Sequence, residues 1–267
     1  MEVFTTKRKL VITLLALAAL LQLSMWIYNL NEENSMKRTQ EVYQALSEIN
    51  SSITSEEAVP GPEDKAPTEE PASESFQYSE FKYTRNPASE FYRINPDFSG
   101  WLKINNTQVD YPVVRGIDNE IYLDRNFYNE PDVLGSIFMD YRNLGMGLDR
   151  HTILYGHYTE RGLMFGDLEK FLDDQFLMEN NRIEFSTPQG MKTYEIFSIH
   201  VSPSEGPFLN TTFSDIPYRE FMDLLLDASM MDLGRVPDEN MNILSLVTCN
   251  YAVKDGRLFI HAVEVDG

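Results

Sequence analysis

Between Leu10 and Leu30 the chain runs 21 residues without a charged side chain. As a helix, such a run is about 31 Å long, close to the hydrocarbon thickness of a bilayer. It divides the chain into a membrane segment and everything that follows. Lys7, Arg8 and Lys9 flank it on the N-terminal side. Basic flanks stay cytoplasmic, so residues 1–9 are expected inside and the remainder outside. A cleaved signal peptide is the competing reading. Met25-Trp26-Ile27-Tyr28 offers no small-residue cleavage site, and Trp26 and Tyr28 suit an interfacial belt, so an uncleaved single-pass anchor over 10–30 is favoured.

Residues 31–75 are expected to be an extracellular acidic, proline-rich stalk. Val42, Leu46 and Ile49 give 36–50 a weak helical period, enough for a short juxtamembrane helix. From residue 51, Pro60, Pro62, Pro67 and Pro71 alternate with carboxylates and few apolar residues, a composition that stays extended. The globular domain is assigned to 76–267. Short helical pieces are expected over 76–98. Strands are then expected near 100–104, 109–114, 136–139, 152–155, 182–186, 192–201, 242–248 and 258–265. These runs are rich in β-branched and aromatic residues, and many short strands at such spacing point to a barrel or sandwich. Helical turns are expected at 119–123 and 163–171. The clearest helix is 217–230, with Phe221, Leu224, Leu225 and Ala228 at helical spacing after Pro217. The fold class is mainly β with peripheral helices.

A formal net charge of −20 argues against a nucleic-acid partner, because phosphates would repel the chain. One cysteine, Cys249, cannot form an internal disulfide. It ends the β-rich run Ile243 to Val247, and Arg257 opens the next run after the turn residues Lys254-Asp255-Gly256. A thiol at a strand end beside a fixed cation suits a nucleophile, since the cation favours thiolate over thiol. An inert buried thiol is the bland alternative. A thiol nucleophile needs an imidazole partner. His157 follows the apolar run Thr152-Ile153-Leu154-Tyr155 and Gly156, so its ring can project from a strand end, with glycine allowing a close neighbour. His200 and His261 lie inside β runs, where packing is the default, and His151 lies in a loop beside Asp149 and Arg150. Arg257 can hold an oxyanion or a peptide carbonyl, or it can pair at a strand edge with Asp255. No metal-ligand spacing or phosphate-cradling loop is present, and no cofactor or metal is expected.

Leu244-Ser245-Leu246-Val247-Thr248-Cys249, followed by Arg257, resembles the cysteine signature of sortases, with Ser245 standing where Thr is usual. Tyr155-Gly156-His157 resembles the family's histidine segment, with Tyr158 where many class B members have Asn. Gly100 to Ile104, Asp110 to Val114, Asp118-Asn119 with Tyr122-Leu123, Gly135 to Phe138 and Met164 to Leu168 are similar to class B sortases in the same order.

The resemblance implies an eight-stranded sortase β-barrel with N-terminal helices and a helix before the cysteine strand. It implies a membrane-anchored cysteine transpeptidase with peptidase activity on a Gram-positive surface, with His157, Cys249 and Arg257 as the catalytic set. Asn119, Leu123, Val247 and Thr248 are implied near the substrate groove. Its partners would be surface proteins with C-terminal sorting signals, cleaved after Thr, and an amine of a peptidoglycan precursor or a pilin. The alternatives are another cell-wall cysteine peptidase or L,D-transpeptidase, and a non-catalytic surface scaffold. The Ser-His-Gly-Cys type of signature is absent, and here His157 precedes Cys249 by 92 positions.

Overall fold

The structure is a computed structural model, and it describes residues 2–56, 88–145, 147–204, 206–214, 216–250 and 255–265. Eight strands close into one barrel: β1 (Phe98–Lys103), β2 (Asp110–Val114), β3 (Ile137–Met139), β4 (His151–Tyr155), β5 (Arg182–Thr187), β6 (Gly190–Pro203), β7 (Ile243–Asn250) and β8 (Gly256–Val265). Their order round the barrel is β1-β2-β3-β4-β7-β8-β6-β5. Six of the neighbouring pairs are antiparallel, while β2–β3 and β4–β7 are parallel. Closure leaves no sheet edge to be protected. All eight expected strands are present, each shifted by a few residues at most. The connection from β1 to β2 turns at Asn105-Asn106, with Asn106 in the left-handed region at φ 61°.

Alternation along the strands separates an inner and an outer face. Leu244, Leu246, Leu258, Ile260 and Ala262 point into the main core with Leu102, Val113 and Ile199. The alternate residues Ile153, Val247 and Phe259 form a second cluster outside the barrel, covered by Phe208 and Leu209 of the 3-10 turn Pro207–Leu209. The period of two places neighbours in sequence on opposite faces.

Among the described residues four α-helices decorate the barrel: α1 (Glu2–Glu56), α2 (Ala88–Ile94), α3 (Asp174–Glu179) and α4 (Tyr218–Asp227). α4 follows Pro217 as the sequence indicates and buries Phe221, Met222 and Leu225 against Phe197, Ile243 and Val263. The expected helical turn at 163–171 is a 3-10 helix, Gly166–Leu172. No helix forms at 119–123. The Asp118 carboxylate instead accepts the N–H groups of Glu120 and Ile121, which ends the segment as a turn.

Residues 31–56, grouped with the stalk on composition, are helical and docked. Tyr43 and Leu46 are buried in the main core, with Met36, Val42 and Ile53 packed against it. The Tyr43 hydroxyl donates to the Gly135 carbonyl at 3.0 Å, and Thr39 Oγ1 donates to Asp132 at 2.5 Å. Val42 and Leu46 of the weak apolar period read at 36–50 therefore lie on the contact stripe of a much longer helix, while Ile49 is exposed. Residues 57–75, the proline-rich part, lie outside the described residues. α1 also contains one stretch long and apolar enough to cross a membrane.

Candidate active site

Two ladders decide where the chemistry-bearing residues meet. β4 and β7 pair in parallel, with Tyr155 opposite Val247 as the last matched positions. His157 stands two residues beyond Tyr155, and Cys249 two beyond Val247, so both chains deliver their residue to the same rim. The Gly156 N–H donates to the Val247 carbonyl at 3.2 Å, which keeps the strands together to that point. On the other side, β7 and β8 pair Cys249 directly opposite Arg257. Residues directly opposed in an antiparallel pair project on the same face. His157, Cys249 and Arg257, spread over 101 positions of sequence, thus come to one rim of the barrel, with Cys249 and Arg257 on the same face. All three are half-buried.

Gly156 is needed for packing rather than for its dihedral freedom. A Cβ there would lie 2.5 Å from Ile137 Cδ1 and 2.8 Å from the Phe165 ring. The close neighbour expected from the sequence is therefore Phe165, whose N–H donates to the His157 carbonyl at 3.0 Å. The His157 ring is oriented by Leu123: Nε2–H donates to the Leu123 carbonyl at 2.7 Å. A carbonyl only accepts, so in the neutral ring Nε2 carries the proton and Nδ1 is left as the base. Among the described residues no carboxylate lies within ion-pair distance of Arg257, whose Nη1 donates to the Gly256 carbonyl at 3.1 Å. The pairing with Asp255 considered from sequence does not form. Asp255 takes φ 54° in the turn.

Of the residues implied near the groove, Leu123 lies exposed beside His157 and touches it through its backbone. Asn119 is engaged within the protein. Its Nδ2 donates to Asp140 and its Oδ1 accepts from the Tyr141 N–H at 3.0 Å. Asp140 is buried and also receives the Arg142 guanidinium and the Tyr155 hydroxyl. Burial pushes this carboxyl up, but the Arg142 bonds outweigh it and hold it below its ordinary value. Sequence reasoning missed this brace, because nothing local pairs residue 119 with residue 140. Val247 is buried beneath Phe208 and Leu209, and Thr248 is buried in the barrel wall beside Leu246. The Thr248 hydroxyl has no hydrogen-bond partner among the described residues.

The other three histidines have a different fate. His151 is not a surface loop residue. It is the first residue of β4, fully buried, because its parallel pairing with Ile243 carries it under α4, where Phe221 packs on the ring. With His200 and His261 it forms a continuous buried chain. His151 Nδ1 meets the Asn210 carbonyl at 2.7 Å, and its Nε2 meets Ser245 Oγ at 2.7 Å. Ser245 Oγ meets His261 Nδ1 at 2.6 Å, His261 Nε2 meets His200 Nε2 at 3.0 Å, and His200 Nδ1 meets Ser202 Oγ at 2.9 Å.

The proton positions follow from the carbonyl at one end. Asn210 requires a proton on His151 Nδ1, so Nε2 of the neutral ring accepts from Ser245. Ser245 then accepts from His261 Nδ1–H, His261 Nε2 accepts from His200 Nε2–H, and His200 Nδ1 accepts from Ser202. Every donor finds one acceptor with all three rings neutral. Burial holds His151 and His200 down at about 4 and lowers His261 well below the ordinary imidazole value, so neutrality persists into acid. Ser245, noted as a departure from the usual Thr, is thus the hinge of this chain. Ser202, at its other end, lies directly across from Arg257 in the β6–β8 ladder. Among the described residues no group of His, Cys, Asp and Glu could hold a metal ion.

A barrel of this order with a solitary cysteine at a strand end defines a thiol enzyme of one family. The model of the sortase domain matches residues 102–265, and the chain belongs to the sortase family. Its similarity is to class B. Sortase B of Listeria monocytogenes is 34% identical over 62% of this chain and 68% of that protein. Sortase B of Staphylococcus aureus is 32% identical over 65% and 72%. Among solved structures, a Staphylococcus aureus sortase B–substrate complex superposes with a TM-score of 0.72 at 27% identity, covering 86% of this chain and 97% of that one. An X-ray structure of Clostridium perfringens sortase B gives 0.64 at 30% identity, covering 67% and 100%. The chain is a cysteine transpeptidase of the sortase type.

Proposed function

We propose that the enzyme cleaves a C-terminal sorting signal after Thr and joins the released carboxyl to an amine. Cys249 gives its thiol proton to His157 Nδ1, its Sγ attacks the scissile carbonyl carbon, and the tetrahedral adduct collapses as the C–N bond breaks. His157 delivers a proton to the departing amine, leaving a thioester on Cys249. The incoming amine gives up a proton to His157 and attacks the thioester carbonyl, and the C–S bond breaks to return the thiolate. Arg257, always charged and without a carboxylate partner among the described residues, holds the substrate carbonyl or the developing oxyanion. The observation that carries this reading is the pair of ladders that brings His157, Cys249 and Arg257 to one rim. A Staphylococcus aureus sortase B structure with substrate and a sortase B structure with triglycine support a peptide and an amine as the two partners.

The donors are surface proteins, and the acceptor amine belongs to a peptidoglycan precursor or a pilin. The N-terminus is cytoplasmic, Leu10 to Leu30 cross the membrane once, and the barrel faces outward on a Gram-positive cell. Cys249→Ala should abolish cleavage of Thr-containing sorting peptides while leaving the circular dichroism spectrum unchanged. Adding increasing amine to the wild-type enzyme should divert product from free acid to amide. A Cys249→Ala variant that still cleaves would refute the assignment.

A further inference from the structure

The apolar run and the docked part of α1 belong to one unbroken helix. Leu14 to Leu30 are exposed, as a lipid-facing segment requires, and Met36 already packs on the barrel core. Met36 lies six positions after Leu30, about 9 Å of helix rise. Thr39 and Tyr43 then fasten the helix to Asp132, Gly135 and Ser136, and Ser47 Oγ donates to Asp110 at 2.7 Å. Little free tether is left for the domain to move on.

The side of the barrel nearest the span is defined by the cleft at that end of the helix. Asn29, Glu32, Glu33 and Met36 line it from α1, and Leu134 with Tyr158 to Arg161 line it from the barrel. Tyr158 is the residue after His157, and consecutive Cα atoms are about 3.8 Å apart. Val133, beside Leu134, is an exposed apolar side chain at the same end. The opposite end of the barrel carries the β5–β6 turn at Thr187–Gly190.

We propose that α1 acts as a rigid bracket that holds the rim carrying His157 against the bilayer, with the surface of Val133–Leu134 and Tyr158–Arg161 at lipid headgroup level. The partner of this surface is the membrane that the chain itself spans. A rim so held meets membrane-attached polypeptides before free ones, a consequence that rests on the function proposed above. The structural part rests on the membrane crossing proposed there and not on the reaction.

The test uses the full chain with Cys249→Ser in phosphatidylcholine vesicles. A fluorophore is placed at Glu160→Cys or at Gln189→Cys, and quenching by headgroup-labelled lipid is measured. Quenching at position 160 should exceed that at 189 at least threefold. Inserting a flexible Gly-Ser segment after Asn31 should bring the two towards equality. Equal quenching in the unmodified helix, stronger quenching at 189, or a ratio that survives the insertion would each overturn the bracket. With Cys249 intact, the insertion should leave cleavage of a soluble peptide unchanged and lower cleavage of the same peptide on a vesicle at least fivefold. An unchanged ratio of the two rates would remove the catalytic consequence. Absence of any cleavage would count against the proposed function, and the quenching result would still decide the bracket.

Discussion

The same side chain is held in two opposite ways on one sheet. His151, His200 and His261 are sealed on the outer face of β4, β7, β8 and β6, every nitrogen paired and every ring neutral. His157, just past the end of β4, is half-buried and held by one bond to a loop carbonyl. A ring with both nitrogens committed has nothing left with which to move a substrate proton. A ring with one nitrogen open does. Burial and partner count, rather than residue type, separate structure from chemistry here.

Removing His157 tests that contrast most severely. His157→Ala should lower kcat/KM by about 10²–10⁴-fold, the usual range for a lost general acid–base group. Its urea midpoint should stay near wild type, because a half-exposed ring contributes little to packing. Retention of activity would place the proton transfer elsewhere.

His261→Ala inverts the pattern. It leaves Ser245 and His200 without partners and opens a cavity, so unfolding free energy should drop by about 2–4 kcal/mol. Turnover per folded molecule should remain close to wild type. A stable but inactive variant would mean that the buried chain takes part in catalysis.

The pH dependence of stability sharpens the comparison further. The unfolded chain takes up a proton on His151 below about 6.5, whereas the folded protein resists until about 4. Stability is therefore unaffected by this group above pH 6.5 and declines as pH falls through the interval, with a slope of up to about 1.4 kcal/mol per pH unit. Urea midpoints at about pH 7, 6 and 5 read this slope, and His157→Ala should share it. A flat profile would show that the buried rings are not held neutral.

The smallest effect belongs to Thr248, whose hydroxyl is buried without a partner among the described residues. Thr248→Val keeps the shape and removes an unmet polar group, so stability should rise by up to about 1 kcal/mol with cleavage unaltered. A large loss of activity would put the hydroxyl in contact with substrate.

Much of this was legible along the chain. The β-rich runs gave all eight strands, because a half-buried strand must alternate or cluster its apolar residues locally. Cys249, Arg257 and His157 could be singled out from strand ends, the turn between them and one glycine. His151 was misplaced because Asp149 and Arg150 beside it read as loop, while its burial comes from pairing with Ile243, 92 positions away. The buried chain through Ser245 was equally hidden. Its members lie on four strands whose neighbours are set by closure of the barrel.

The sequence alone determined the apolar helix and the strands and singled out the candidate side chains, since each depends on the composition of a short stretch. Only the tertiary structure decided that β4 runs parallel to β7 and that α1 continues unbroken onto the barrel. It also decided that three histidines share protons along one buried chain. Those outcomes depend on which distant backbones pair, and that is settled by burying a common core rather than by any local preference.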